Sequence, residues 1–253
     1  MDIASLIGIV CAVALILGSI LIGSAPITAF IDFPSIMVVC GGSLAAGLIC
    51  FPLRSMIGSP QVAMKILLNK SEDKRQLIKQ LVSLAETARR DGLLALESTI
   101  GGLENSLVKT GIQMCVDGCT PEVVEQVLRT EADALAARHR EGKAIMDQMG
   151  RFAPAYGMIG TLLGLIMMLA DISDPSKFAA GMTVALMAAL YGAIMANVFF
   201  CPFAEKLGLL SRSELIAIEI AIRGVMAIQS GESPRAIEQK LRTFLPPNQR
   251  NAA

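Results

Sequence analysis

Residues 152–170 read FAPAYGMIGTLLGLIMMLA, and after a break of eight residues (171–178, DISDPSKF) residues 179–201 read AAGMTVALMAALYGAIMANVFFC. Neither stretch contains Asp, Glu, Lys, Arg or His. An apolar helix of about 20 residues, rising ~1.5 Å per residue, crosses the ~30 Å hydrocarbon core of a bilayer. The break is short, so the two stretches predict an antiparallel membrane hairpin. Two further uncharged stretches, 3–23 and 35–51, precede it. The second reaches spanning length only if Phe33, Pro34 and Pro52 extend it. With a mean hydropathy of +0.59, the four together predict an all-α integral membrane protein with four transmembrane helices.

Working outward, the basic residues give an orientation. Of the 22 Lys and Arg, 14 lie in 54–151 and 7 in 206–250, leaving Lys177 alone in the loops on the other side. Basic residues are retained on the cytoplasmic side of a membrane. Both termini and the two long segments are therefore expected in the cytoplasm, with the short loops holding Asp32, Asp171 and Asp174 outside. The expected organisation is a transmembrane hairpin at 1–53, a helical cytoplasmic domain at 54–151, a second hairpin at 152–202 and a cytoplasmic tail at 203–253. A charged n-region and a small-residue cleavage pattern are absent around 1–22, so the first span is expected to remain as an anchor.

The cytoplasmic block reads as helical. Ser71 is positioned to cap a helix with Glu72 and Asp73 in its first turn, favourable against the helix dipole. Leu77, Ile78, Leu81, Val82, Ala85 and Ala88 form its apolar stripe, and Asp91-Gly92 supplies a stop. Asp117-Gly118 reads as a turn and Thr120-Pro121-Glu122 as the start of a helix running to Gly150. A further helix is expected from Phe203 toward Ser230, ended by Gly231. Ser233-Pro234 begins a short last one, and residues 248–253 read as a frayed terminus.

Several function classes are excluded. The formal net charge is zero, which disfavours nucleic acid. Cys115 and Cys119 have a spacing that could suit a metal, but His139 is the only histidine and no second cysteine pair exists, so no metal site is expected. No nucleophile–base constellation or phosphate loop points to an enzyme, and no cofactor is implied. A self-sufficient transporter is disfavoured too, because ion and solute pathways in lipid usually carry ionisable groups or broken helices. Here the spans offer only Thr161, Thr183, Tyr156, Tyr191, Asn197 and a few serines. Either the chain moves no ions, or a partner brings the acid and these hydroxyls line the path.

Small residues recur on the last two spans: Gly157, Gly160, Thr161 and Gly164 on one, and Gly181, Thr183, Ala185, Ala188, Ala189, Gly192, Ala193 and Ala196 on the other. Such spacing lets helix backbones approach closely in lipid. It fits packing within the bundle, or a surface for a helix from another subunit. Pro154 and Pro202 frame the hairpin near its cytoplasmic boundary. They mark simple helix ends, or a hinge coupling membrane to cytoplasm.

In order along the chain, 88–97 (ARRDGLLALE), 152–165 (FAPAYGMIGTLLGL), 190–197 (LYGAIMAN) with 202–206 (PFAEK), and 224–231 (GVMAIQSG) with Pro234 and Arg235 resemble the motifs of flagellar motor stator A subunits, the MotA/PomA family, most nearly its PomA-type branch. The resemblance covers essentially the whole chain. It implies a bacterial inner-membrane protein that forms a homo-oligomer, a pentamer, around a dimer of a single-span MotB/PomB-type B subunit. The B subunit supplies the ion-binding Asp. Translocation of H+ or Na+ then drives torque on the rotor switch protein. By the same resemblance, Thr161, Ala188, Ala189 and Tyr191 line the ion pathway. Pro154 and Pro202 are the coupling prolines, and Arg89, Arg90 and Glu97 are the rotor-facing charges.

One departure bears on the ion. Sodium-type members tend to carry Thr-Thr before the Leu-Tyr-Gly of the fourth span, where this chain has Ala188-Ala189. Sodium needs oxygen ligands that two methyl groups cannot supply, so the local chemistry favours protons. The nearest rival reading is a TolQ/ExbB-type energising subunit driving a periplasm-spanning partner, which usually has three spans and lacks the N-terminal hairpin and the 88–97 motif. A passive membrane scaffold would need neither the paired prolines nor the charged cytoplasmic face.

Overall fold

The computed structural model describes residues 3–23, 26–68, 73–103, 105–170 and 172–247. Its helices are α1 (Ile3–Ile22), α2 (33–50), α3 (Leu53–Leu68), α4 (Lys74–Asp91), α5 (Ser106–Val116), α6 (Pro121–Ala170), α7 (Pro175–Gln229) and α8 (Pro234–Arg242). Short helical turns occupy Ile27–Phe30, Leu93–Leu96 and Glu97–Ile100. No strand occurs among the described residues. Four of these helical stretches are long and apolar enough to span a membrane, as the hydropathy pattern predicts. The expected second span gains its length from Asp32, which caps α2 through Ser35 N–H, and from Pro34 in the first turn, where no amide is needed.

Three expectations are corrected. The helix beginning at Pro121 does not stop at Gly150; it continues through Pro154 to Ala170. The helix expected from Phe203 is likewise the continuation of the fourth span, unbroken from Pro175 to Gln229. A proline inside a helix removes one backbone bond and bends the rod without ending it. Asp73 is itself the cap of α4, accepting from Arg75 N–H at 2.9 Å, not a first-turn residue. Ser71, Glu72, Asp171 and 248–253 lie outside the described residues.

The chain divides into two compact units. The first comprises Met1–Lys70 and His139–Leu209. Its centre is the seam between the hairpin arms of α6 and α7. A Cβ placed on Gly164 would lie 2.5 Å from the backbone nitrogen of Ala185 and 2.6 Å from the carbonyl oxygen of Gly181. One on Gly181 would lie 2.8 Å from both Gly164 O and Met168 N. Only glycine permits this backbone-to-backbone approach, which is what replaces the hydrophobic effect as a source of helix association in lipid. Gly157, Gly160, Ala185, Ala188 and Gly192 extend the seam, all buried. α2 packs alongside with Ser35, Val39, Ser43 and Gly47, a buried stripe at four-residue spacing. Among the described residues of α1 none is buried.

The second unit comprises Ser71–Arg138 and Leu210–Ala253. Leu77, Leu81, Leu96, Ile112, Leu128, Ile220, Ile222, Ile237 and Leu241 are its largest fully buried side chains. They come from α4, α5, α6, α7 and α8, with Leu96 from the turn Leu93–Leu96, so all five helices contribute apolar side chains to one core. The stripe expected on α4 is present, with Leu84 added and Val82 and Ala88 at its edge. Gly92, Gly118 and Gly231 have φ of +85°, +78° and +70°, the left-handed geometry that ends a helix at glycine, at each of the three stops read from the sequence. Ser233 caps α8 by accepting from Ala236 N–H, as Ser233-Pro234 predicts.

Candidate functional site

The membrane hairpin carries four of the residues singled out above, and it treats them differently. The Thr161 hydroxyl is half-buried and lies 2.9 Å from Gly157 O on its own helix and 3.1 Å from Ala185 O across the seam. Both acceptors are carbonyls, so the hydroxyl donates inward while its lone pairs stay free to accept. Ala188 is fully enclosed, its methyl group seated on Gly160. Ala189, one residue on, is exposed. Of the two alanines that occupy the Thr-Thr positions, only Ala189 presents surface to a neighbouring helix. Tyr191 is tied up: its hydroxyl donates to Phe30 O at 2.6 Å and accepts from Asp32 N–H at 3.0 Å. It fixes the loop before α2 onto α7.

Asp32 and Ser35 form a polar node that the sequence reading did not single out. The Asp32 carboxylate accepts from Ser35 N–H at 2.9 Å and lies within bonding reach of the Ser35 hydroxyl. That fully buried hydroxyl also lies 3.0 Å from Val184 O on α7. The signal was available: Asp32-Phe33-Pro34-Ser35 is a helix cap followed by proline in the first turn, as is Asp174-Pro175-Ser176 at the start of α7, where Asp174 accepts from Ser176 N–H at 3.0 Å. Hydrogen bonds from Ser176 hold the Asp174 carboxyl below its ordinary value, so it stays a charged cap.

Pro154 is half-buried inside α6, at the level where Gly192 of α7 packs. Pro202 is exposed and directly follows a widened turn of α7 at Met195–Phe200. A proline ring clashes with the carbonyl four residues earlier, here Val198. Widening the preceding turn relieves that clash without breaking the helix. A second widened turn at Met37–Gly41 interrupts α2, next to the Ser43 hydroxyl bonding back to Val39 O. Neither widened turn was legible from the sequence.

Arg89, Arg90 and Glu97 are all exposed, as are Lys79, Ser83 and Glu86 on the Arg90 face of α4. The Arg90 guanidinium grips the Asp91 carboxylate through Nε at 3.0 Å and Nη2 at 2.9 Å. That hydrogen bond raises the Arg90 pKa and lowers that of Asp91. Gly92 then reverses the chain, Leu94 stands out at 72 % exposure, and Glu97 follows. The result is a solvent-facing corner with both signs of charge around one apolar side chain. Cys115 is buried in the core of the same unit, and desolvation pushes its thiol up to about 11. Among the described residues no group of three or more His, Cys, Asp or Glu is placed to hold a metal.

The MotA/TolQ/ExbB proton channel family profile matches residues 100–220. Chemotaxis protein PomA of Vibrio alginolyticus is 36% identical over 245 residues, 97% of this chain and 96% of that protein. The structure of C. jejuni MotAB superposes with a TM-score of 0.89 at 28% identity, covering 100% of this chain and 99% of that one. The flagellar MotAB stator complex from Bacillus subtilis superposes with a TM-score of 0.86 at 33% identity, covering 97% and 96%. A four-span helical fold with these near-full-length relatives places the protein in the bacterial inner membrane. The chain belongs to the flagellar stator (MotA/PomA) branch of the MotA/TolQ/ExbB proton channel family.

Proposed function

We propose that this chain is the A subunit of a proton-driven stator that assembles as a pentamer around a dimer of a MotB/PomB-type B subunit and turns the rotor switch protein. The observation that carries the reading is a membrane hairpin with no Asp, Glu, Lys, Arg or His in 152–170 or 179–201 and with one seam held by Gly-to-backbone contact. The acid needed for translocation must then come from the B subunit. A carboxylate facing lipid-like surface is costly when charged and far less so when protonated. Protonation lets the B helix lie against the apolar outer face of the hairpin, and deprotonation drives it toward hydroxyls and water. The membrane potential supplies about 2.3 kcal/mol per elementary charge for each ~100 mV, which this cycle converts into rotation of the A ring.

In this scheme Thr161 and Ala189 border the path. Tyr191 holds the outer loop in place, and Pro154 and Pro202 localise bending at the cytoplasmic end. Arg89, Arg90 and Glu97 make transient charge contacts with the rotor, which suit steering and register more than tight affinity. Both termini lie in the cytoplasm. No covalent chemistry is involved. Protons are favoured because neither alanine of the 188–189 pair can offer an oxygen to sodium. Matches along nearly the whole chain to stator proteins favour this reading over a TolQ/ExbB-type role.

The test is motility in cells that rely on this subunit. Deletion should stop swimming, and only co-expression with a cognate B subunit should restore it. Speed should fall with a proton uncoupler and be independent of external sodium. Speed that tracks sodium and survives the uncoupler would overturn the proton assignment. Normal swimming after deletion, with an envelope defect instead, would favour the TolQ/ExbB-type role.

A further inference from the structure

α1 and α7 leave a slot between them. Its walls belong to one compact unit: Ser5, Gly8, Ile9 and Ala12 from one face of α1, and Val198, Pro202 and Phe203 from α7. Its volume is about 330 Å³. Small residues on a span usually mark close helix approach, and the α6–α7 seam uses them so. On α1 they are not used in that way. A Cβ on Gly8 would meet nothing within 4 Å, and no described residue of α1 is buried. The opposite wall is formed by the widened turn Met195–Phe200 and the proline that follows it.

The slot differs from end to end. Ser5 lies at the start of α1, and Lys206 lies beyond Pro202 on α7, so both stand at the end nearest the cytoplasmic segments. Ala12 and Asn197 are roughly 10–14 Å further along their helices, toward the membrane interior. The Asn197 amide is spent on its own helix, donating to Ala193 O at 2.9 Å. The wall between the two ends is apolar. Lys206 has a partner within the chain, but an ammonium carries three donors and can add a phosphate oxygen.

From this juxtaposition we infer that the α1–α7 slot binds one inner-leaflet phospholipid, its acyl chain filling the space beside Gly8 and its phosphate held by Lys206. Three observations select the occupant. A helix, ~10 Å across with its side chains, is too large for the volume. The apolar wall gives water too few polar partners, and leaving it empty forfeits dispersion contacts along both helices. The cation stands at the cytoplasmic end, where a basic side chain between membrane helices attracts a lipid headgroup. The leaflet follows from the orientation proposed above; the assay below does not depend on it.

The full chain is purified with its B subunit in mild detergent, and native mass spectrometry counts and identifies what stays bound. About one phospholipid per A subunit is expected. Gly8→Leu, whose side chain enters the slot, should cut the retained lipid roughly threefold or more by taking over its contacts. Gly18→Leu lies on the same helix outside the slot, where a Cβ also meets nothing within 4 Å, and should leave retention unchanged. Lys206→Gln should release the lipid at lower detergent concentration, and Lys206→Arg should restore its hold. The chain contains no tryptophan, so Phe203→Trp gives a second readout. Acyl-brominated phospholipid should quench it and keep it quenched on dilution into detergent, and Gly8→Leu should abolish that. Equal retention in Gly8→Leu and the unaltered protein would overturn the proposal by showing annular lipid only. An unaltered complex that holds no lipid would overturn it by showing the slot closed by another subunit. A fatty acid or detergent in place of phospholipid, or a hold indifferent to Lys206→Gln, would overturn the phosphate assignment. Gly8 and Lys206 act on opposite parts of the lipid, so a folding defect in one variant leaves the other decisive.

Discussion

Gly164→Ala tests the hairpin seam with a single methyl group. The new Cβ would sit 2.5 Å from Ala185 N and 2.6 Å from Gly181 O, whereas ordinary contact begins at 3.4 Å. Both obstacles are backbone atoms, so no side chain can rotate away and α6 and α7 must part by about 0.9 Å locally. That displacement would stretch the Thr161 hydroxyl contact to Ala185 O from 3.1 Å to about 4 Å, beyond hydrogen-bonding range. Overpacking costs ~1–3 kcal/mol, and a lost interhelical hydrogen bond in a membrane adds about 0.6 kcal/mol. The combined penalty of roughly 2–4 kcal/mol outweighs the gain of up to ~1 kcal/mol from replacing glycine by alanine in a helix. Gly18→Ala in α1, where a Cβ meets nothing within 4 Å, is the matched control. Thermal unfolding of the purified stator in detergent should show a clear fall in Tm for Gly164→Ala and none for Gly18→Ala, with swimming reduced only by the former. Equal Tm values for Gly164→Ala and the unaltered protein would refute the seam argument.

Three further outcomes are expected. Ala189→Thr should be tolerated and should raise the sodium dependence of swimming, while Ala188→Thr, enclosed against Gly160, should cost ~1–3 kcal/mol of stability without creating a sodium ligand on the outer face; ion dependence shifted by Ala188→Thr alone would contradict the assigned faces. Tyr191→Phe leaves Asp32 N–H and Phe30 O without their shared partner and should destabilise the protein by ~1–3 kcal/mol, read as a lower Tm; an unchanged Tm would show that the loop is held otherwise. The Cys115 thiol, raised to about 11 from an ordinary 9.0, is protonated in the fold at pH 9 to 10 while an unfolded chain ionises, so its stabilising effect is complete below pH 9 and disappears as pH rises through 11. Maleimide at pH 8 should label Cys115 only after denaturation, and rapid labelling of the native chain, located by mass spectrometry, would contradict its burial.

The sequence made the spans and the three glycine stops legible because each rests on a local rule: uninterrupted apolar length, or a backbone angle that glycine alone adopts cheaply. It also located the small-residue faces, but not their use. Gly157, Gly160, Gly164, Gly181, Ala185, Ala188 and Gly192 are consumed by the hairpin itself, and whether a small residue meets its own chain or another is a tertiary fact. The same limit hid the difference between Ala188 and Ala189. Neighbours on a helix face ~100° apart, and only the position of α6 decides which is enclosed. Pro154 and Pro202 were read beside helix boundaries because a proline that ends a helix and one absorbed into it look alike in sequence; the widened turn at Met195–Phe200 accompanies the second of these continuations. The Asp32–Ser35–Tyr191 contacts join residues about 160 positions apart, beyond any local pattern.

The account turns on membrane spans that carry no carboxylate, lysine, arginine or histidine of their own. The most direct measurement is proton flux into vesicles containing the purified chain, alone and co-reconstituted with a cognate B subunit, under an imposed potential. The account predicts flux only when the B subunit is present, and its loss when that subunit's membrane carboxylate is replaced by an amide. Sustained, selective proton flux through the chain alone would contradict it.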